Sequence, residues 1–486
     1  MRTVDDLCTE ILVEVFEFAA ASLDPMTCNL NQVVSLMRVC RRWMAILCSN
    51  GRIWSNVHIR GQDLATLDAQ LTLCRKAPLF VLIKVPPRDA AKYSCYLDFQ
   101  KNIQGAVSLI RERRDQVKRL EVHMDCQTLR EQLGCEWSNL EELVWVDTCP
   151  LGSSVHGVSR ESPVPGGFPM LKILSIGGCI NWSINAATNL TTFKLKGPIR
   201  LELPTLIKFF RRNTSLQSLE LMNLDVWGPP NSYRVEPIEL PRLTNLSIHN
   251  ATCGCMLPLL NLPLLNRLWV FSLKGRNPWS DYDWSKLCNR LSITNIEVQY
   301  SASIRETITM VGSNGLDTQS FHFTEVSPAT HGAALFRLFS SASLPSVTSV
   351  TLIKNMPEGG VSSSLTAAIC DLLEQLPRVE RMRVYPSGLA VEVTRHLSEN
   401  PELCPELREL EVTVTGETCT RTVEGLVAKV VKVRADSGDG REMRRIECLH
   451  PAGSQRSGEV RTRVVWDRLW KAVEVGKHER RVIYVW

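Results

Sequence analysis

Between residues 117 and 412 one short pattern keeps returning, apolar-x-x-apolar-x-apolar. It reads VKRLEV at 117–122, LEELVW at 140–145, LKILSI at 171–176, LTTFKL at 190–195, LQSLEL at 216–221 and LTNLSI at 243–248. It continues as LNRLWV at 265–270, ITNIEV at 293–298, VTSVTL at 347–352, VERMRV at 379–384 and LRELEV at 407–412, with a degraded copy around Phe321 and Phe323. The alternation that closes each copy predicts a short strand with one apolar side. One such strand cannot bury that side alone, whereas stacked neighbours can. The expected fold class is therefore α/β, built from a long run of repeats.

The copies recur every 26 residues or so, with spacings from about 19 to 32, which brackets the leucine-rich-repeat range. The array resembles an irregular leucine-rich repeat. In that family an Asn or Cys follows the last apolar position by three; Cys179 and Asn355 stand there, and Asn223 and Asn250 miss by one. The resemblance implies a solenoid whose intervening polar residues line its concave side. Examples are Arg119 and Glu121, Thr192 and Lys194, Ser218 and Glu220, and Asn295 and Glu297. Such a surface, wide and polar, suits binding to another protein.

One copy breaks the polar rule. Leu265, Leu268 and Val270 fit the core side, but Trp269 and Phe271 occupy intervening positions. Outward aromatics cost solubility unless something covers them. Trp279, Tyr282 and Trp284 follow in the polar-aromatic stretch GRNPWSDYDWS at 275–285. These five are candidate partner-binding residues, because Trp and Tyr are frequent binding anchors. The alternative is that the loop aromatics fold over Trp269 and Phe271 as a small satellite core. Two further interruptions, 150–169 and 225–241, are read as long loops.

The first sixty residues follow a different period. Leu7, Ile11, Leu12, Val15, Phe16 and Ala19 fall on one face of a helix over 7–20, away from Glu10, Glu14 and Glu17. Thr3 and Asp6 have capping-box spacing. A second helix is predicted from an Asn31 cap, carrying Val34, Leu36, Met37 and Cys40, with helical character continuing through Trp43, Met44 and Leu47 to a stop at Gly51. Ile53 and Trp54 are apolar again. Three short helices in about fifty residues bury little by themselves, and the unit is expected to lean on a neighbour or partner.

The order DLCTEILVEVF, LMRVCRRWMAIL and RIW resembles the F-box, and is especially similar to the F-box-like domains of mushroom-forming fungi. The matching positions are Leu7, Glu10, Ile11, Leu12, Val15, Phe16, Val39, Cys40, Arg41, Arg42, Trp43, Ile53 and Trp54; Cys8 stands where the family usually has proline. The resemblance implies binding to a Skp-type adaptor and, through it, a cullin ligase scaffold. It assigns adaptor binding to Leu7, Glu10, Ile11, Leu12, Val15, Phe16, Val39, Cys40, Trp43 and Trp54. Without the resemblance, the same segment reads as a helical hairpin capping the repeats.

Beyond residue 415 the strand pattern stops. A helix is expected over Thr422–Val433, a turn over Ala435–Arg441, strands over Met443–Leu449 and Arg481–Val485, and a helix over Val465–Val475. Terminal repeats need capping, so the expected organisation is a helical module at 1–60, the repeat array at 61–415 and a C-terminal cap at 416–486.

Composition adds exclusions rather than a function. The net charge of +5 over 486 residues is too mild for a nucleic-acid binder without a clustered basic stripe. No run of about eighteen apolar residues is present to span a membrane. The acidic amphipathic start is unlike a secretory signal, so the 17 cysteines are expected to be reduced and the protein intracellular, cytoplasmic or nuclear. The five N-x-[ST] triplets, at Asn181, Asn189, Asn213, Asn245 and Asn250, then carry no meaning for glycosylation. No phosphate loop, nucleophile elbow or zinc-protease motif occurs, and Cys253 and Cys255 have no second pair at zinc spacing. No cofactor, metal or catalytic residue is expected. The sequence thus points to a non-enzymatic substrate-recognition adaptor of a cullin-RING ubiquitin ligase, with an unidentified protein target. A repeat scaffold outside ubiquitin ligases is the alternative, and an enzyme with an unrecognised site the third.

Overall fold

A computed structural model describes residues 7–21, 30–59, 63–85, 96–124, 136–148, 168–178, 187–227, 237–249, 259–272, 291–302, 306–314, 319–327, 344, 346–355, 363–385, 387–413, 417–436 and 445–449. The chain forms two compact units that divide near residues 233–243, inside the region the repeat pattern covers; the boundaries near 60 and 415 are not where compactness divides it.

The first unit opens with α1 (Thr9–Ala21), α2 (Leu30–Met37) and α3 (Arg41–Ser49), then a 3-10 turn over Gly51–Trp54. A parallel ladder comes next: β1 (Asn56–Ile59), β2 (Leu79–Lys84), β3 (Val117–His123), β4 (Glu142–Val146), β5 (Ile173–Gly177), β6 (Thr192–Glu202) and β7 (Ser218–Trp227). Parallel neighbours need crossover connections. Helices α4 (Leu64–Cys74), α5 (Tyr96–Glu112) and α6 (Leu203–Arg212) serve as three of these, and β8 (Ile238–Glu239) is a short strand after them.

The second unit continues the parallel scheme with one interruption. Strands β9 (Asn245–His249) and β11 (Arg267–Ser272) pair, with the short β10 (Leu260–Asn261) between them in sequence. Then β12 (Asn295–Ala302), β13 (Glu306–Ser313) and β14 (Ser320–Ser327) fold back as an antiparallel meander. It is β14 that lies beside β11, and β12 that lies beside β15 (Ser349–Asn355). The parallel run resumes through β16 (Arg381–Tyr385), β17 (Glu409–Thr413) and β18 (Arg445–Leu449). Helices α7 (Ser363–Glu374), α8 (Ser387–Glu399) and α9 (Glu417–Asp436) connect them.

The strands begin two residues later than most of the repeated copies. The first apolar residue of most copies is not in the strand. Leu140, Leu171, Leu190, Leu216, Leu243, Leu265, Val347, Val379 and Leu407 precede it and are buried. In seven places this residue's N–H donates to the carbonyl three positions back: Leu140 to Trp137, Leu171 to Phe168, Leu216 to Asn213, Leu265 to Leu262, Val347 to Leu344, Val379 to Leu376 and Leu407 to Cys404. A tight turn therefore delivers each of these anchors. In five of the seven the sequence carries the cause, which the six-residue pattern misses: FPML at 168–171, LPLL at 262–265, LPSV at 344–347, LPRV at 376–379 and CPEL at 404–407. Proline in second place sets the dihedral that a type I or II turn needs. Where the turn begins at Asn213 instead, that fully buried amide accepts from Leu190 N–H and donates to the Ala187 and Phe209 carbonyls.

Two expectations need correction. The three expected helices are present, but Cys40 does not ride on the second: that helix ends at Met37, and the Cys40 sulfur caps α3 by accepting from Trp43 N–H. Asn31 lies inside α2 rather than before it. Nor does the ladder end at 415, because β18 pairs in parallel with β17 after α9. Ala435 and Asp436 still belong to that helix rather than to a turn. The Thr3–Asp6 pair, the predicted elements at 465–475 and 481–485, Asn181, Asn250, Cys179 and the Cys253–Cys255 pair lie outside the described residues.

Helix α9 is fastened by a buried staple. Arg434, near its last turn, is buried, and its guanidinium donates to the carbonyls of Leu403, Cys404 and Leu407 at 2.7, 3.1 and 3.5 Å. These belong to the turn that delivers β17. Among the described residues no helix is long and apolar enough to cross a membrane.

Burial also sorts the thiols. It pushes Cys74, Cys370 and Cys404 up to about 12, whereas Cys8 is exposed. Since the thiolate is the nucleophile, native protein treated with iodoacetamide at about pH 8 should be alkylated at Cys8 and spared at those three. Peptide mass mapping checks this, and rapid alkylation of Cys404 would contradict the packing.

Candidate functional site

Helix α1 uses two faces. Leu12 and Phe16, one turn apart, are each 1% exposed. The Phe16 ring meets Trp43 edge-on, centroids 4.9 Å apart at 64°. On the other side Ile11, Val15 and Phe18 succeed one another at spacings of four and three, so they form one continuous stripe, and the exposed Leu7 stands just ahead of the helix. The exposures of Leu7, Ile11, Val15 and Phe18 are 39, 44, 50 and 74%. Val39 and Met44 are exposed as well. Arg42 donates to the Leu7 carbonyl at 2.5 Å, which sets the start of α1 beside the turn that carries Val39.

The module is fixed to the elements after it in the chain. Asn50 joins α3 to α1 through Glu17, 2.9 Å away, and also caps the 3-10 turn through Arg52 N–H. Trp54 is buried, its indole N–H donating to the Leu47 carbonyl at 2.8 Å. The Trp54 carbonyl in turn accepts from Gln70 and Cys74 of α4, and Gln70 also bonds the Asn56 carbonyl. A Cβ on Gly51 would overlap the Cys74 carbonyl oxygen, so only glycine allows this approach. The three helices, the 3-10 turn and α4 therefore form one packed body.

Of the ten residues assigned to adaptor binding, Leu12, Phe16 and Trp54 are thus enclosed in the core, and Cys40 and Trp43 are half-buried. Leu7, Glu10, Ile11, Val15 and Val39 face outwards. The Glu10 carboxyl is held below its usual range by its own backbone N–H and by Cys8. Phe18 and Met44 join the exposed set without having been singled out. Their signal was available: Phe18 extends the Leu7–Ile11–Val15 spacing by one more turn.

Comparison with known proteins bears on this same module. Residues 4–60 match the F-box-like family. The chain carries an F-box-like domain. No curated protein matches the sequence. The F-box-like domain accounts for the N-terminal helices alone, and the remaining strands stand on their own geometry.

On the sheets, the intervening positions form rows of partly exposed side chains. In the first unit these include ion pairs of Arg119 with Glu121 and Glu142, and of Lys194 and Lys196 with Glu220. His123 also bonds Glu121 at 3.0 Å, the chief cause of that carboxyl's lowered pKa. In the second unit Trp269 lies in register between Ser247 and His322 and is 50% exposed. Phe271 comes next but one on the same strand, in register with His249 and Thr324. Trp279, Tyr282 and Trp284 lie outside the described residues.

Proposed function

We propose that this protein is a substrate-recognition adaptor of a cullin-RING ubiquitin ligase. It would dock a Skp-type adaptor through its F-box-like domain and hold a target protein on its sheet. The observation that carries the reading is the exposed stripe Ile11–Val15–Phe18, with exposed Leu7 just ahead of it, on an F-box-like domain whose other apolar face is already occupied. Large apolar residues grouped in water mark a surface that suits a partner. The packed joint through Trp54, Gln70 and Cys74 supports the role further. That joint fixes the F-box-like domain to the first strands of its own unit, and holding a target near the ligase raises its effective concentration there.

The leucine-rich-repeat reading is supported by the parallel ladders and by the turn that delivers each anchor leucine before its strand. One strand per period, apolar on the side that faces its connections, is how a repeat array buries a shared core. Function through proximity needs no chemistry of its own, and the reading treats the chain as non-enzymatic. The direct test mixes the full-length protein with a purified Skp-type adaptor. Co-elution in size exclusion and a one-to-one calorimetric isotherm are expected. Separate elution with no heat of binding would leave the repeat scaffold outside ubiquitin ligases as the better account.

A further inference from the structure

The antiparallel meander widens the polar side of the second unit's sheet. Across β14, β13, β12, β15, β16 and β17 that side forms an open trough of about 730 Å³. At a strand spacing of about 4.8 Å, six strands span about 24 Å, the length of roughly seven extended residues. Two registered rows make its floor. One runs Asn295, Ser349, Arg381, Glu409 and the other Glu297, Thr351, Arg383, Glu411. Ile296, Met382 and Leu410 border it but turn their side chains into the core.

The chemistry of the trough narrows what it can hold. Its three carboxylates outnumber its two guanidiniums, so it does not suit nucleic acid. Among the described residues that line it there is no aromatic ring to stack on a base or a sugar, and Val311 is its one apolar side chain not turned into the core, too little for a greasy ligand. Some of its charge is already satisfied within the sheet. Arg383 pairs with Glu411 at 3.0 Å, Tyr385 also donates to Glu411, and Gln299 bonds Glu297. Arg381 and Glu409 differ: they are direct register partners, yet they form no ion pair with each other or with another described residue. Beside them stand the hydroxyls of Ser349 and Thr351. A cation and an anion without described ion-pair partners, over a hydroxyl floor, complement a chain with charges of both signs and a backbone rich in donors and acceptors.

We propose that this trough binds an extended hydrophilic polypeptide segment, with an acidic side chain against Arg381 and a basic one against Glu409. It rests on the reading that the sheet holds a target, and it names where on the sheet and of what chemistry. The test pans a phage-displayed library of random peptides, about twelve residues long, against the purified full-length chain without any adaptor. Enriched peptides should carry both signs of charge. Their binding should weaken about tenfold or more with Arg381→Glu and with Glu409→Lys. Ser349→Trp, which fills the trough, should abolish it. A peptide with its acid changed to Lys should regain binding to the Arg381→Glu chain, a rescue that misfolding cannot produce. Failure to enrich any peptide, or enriched peptides indifferent to all three substitutions, overturns the proposal. Adaptor binding of the same variants is measured separately, so the F-box reading survives or falls on its own result.

Discussion

Ile11→Glu combined with Val15→Glu should abolish binding to a Skp-type adaptor while leaving thermal unfolding unchanged. Both side chains are about half exposed on one stripe of α1, so charge there costs the folded chain little. Against an apolar partner, two carboxylates would be desolvated without pairing, which costs several kcal/mol each. Phe16→Ala should do the reverse. Its ring is enclosed and packs on Trp43, and truncating such a side chain costs about 3 to 5 kcal/mol. The pair of variants separates contact from support. Calorimetric titration with the adaptor reads the first and thermal denaturation the second. If the double glutamate variant still binds with wild-type affinity, the stripe is not the docking face.

The second large effect lies at the other end. Arg434→Ala should destabilise the second unit by about 3 kcal/mol or more. The substitution leaves the Leu403 and Leu407 carbonyls buried without the donor they share, while Cys404 keeps only Leu407 N–H, and each unsatisfied group costs about 1 to 3 kcal/mol. Arg434→Lys should rescue little, because one ammonium cannot reproduce a planar fork that reaches three carbonyls. Removing residues 417–486 would strip away α9 and β18 together and expose the edge of β17. Chemical denaturation with tryptophan fluorescence measures both variants, and an unchanged midpoint for Arg434→Ala would show the staple to be without energetic consequence.

Much of this molecule is legible in its sequence because its information is local. The strand of each copy comes from two-residue alternation, and helix α1 from apolar residues that recur one turn apart. The recurring Leu-Pro-x-Leu turn is equally local and equally readable. Breaks with a local chemical cause are harder when the cause is unusual: Cys40 caps α3 through its sulfur, a role few sequence rules assign to cysteine. The meander β12–β14 is harder still. ITNIEV at 293–298 predicts a strand of its own, but not that β14, two hairpins later, would take the place beside β11.

Local patterning thus sets the inventory: an N-terminal helical unit of F-box-like pattern, and a long series of one-sided strands that can only be stable together. Which side of each element is buried follows from the packing of distant elements. Leu12 and Ile11 are adjacent apolar residues on the same helix, and nothing in their chemistry says that one enters the core and the other meets water. Packing decides it, because Trp43 and its neighbours fill the space over one face only. Arg381 and Glu409 likewise come to stand side by side as opposite charges only when β16 and β17 come into register. Contacts between residues distant in sequence depend on where whole elements come to rest, and no short pattern encodes that.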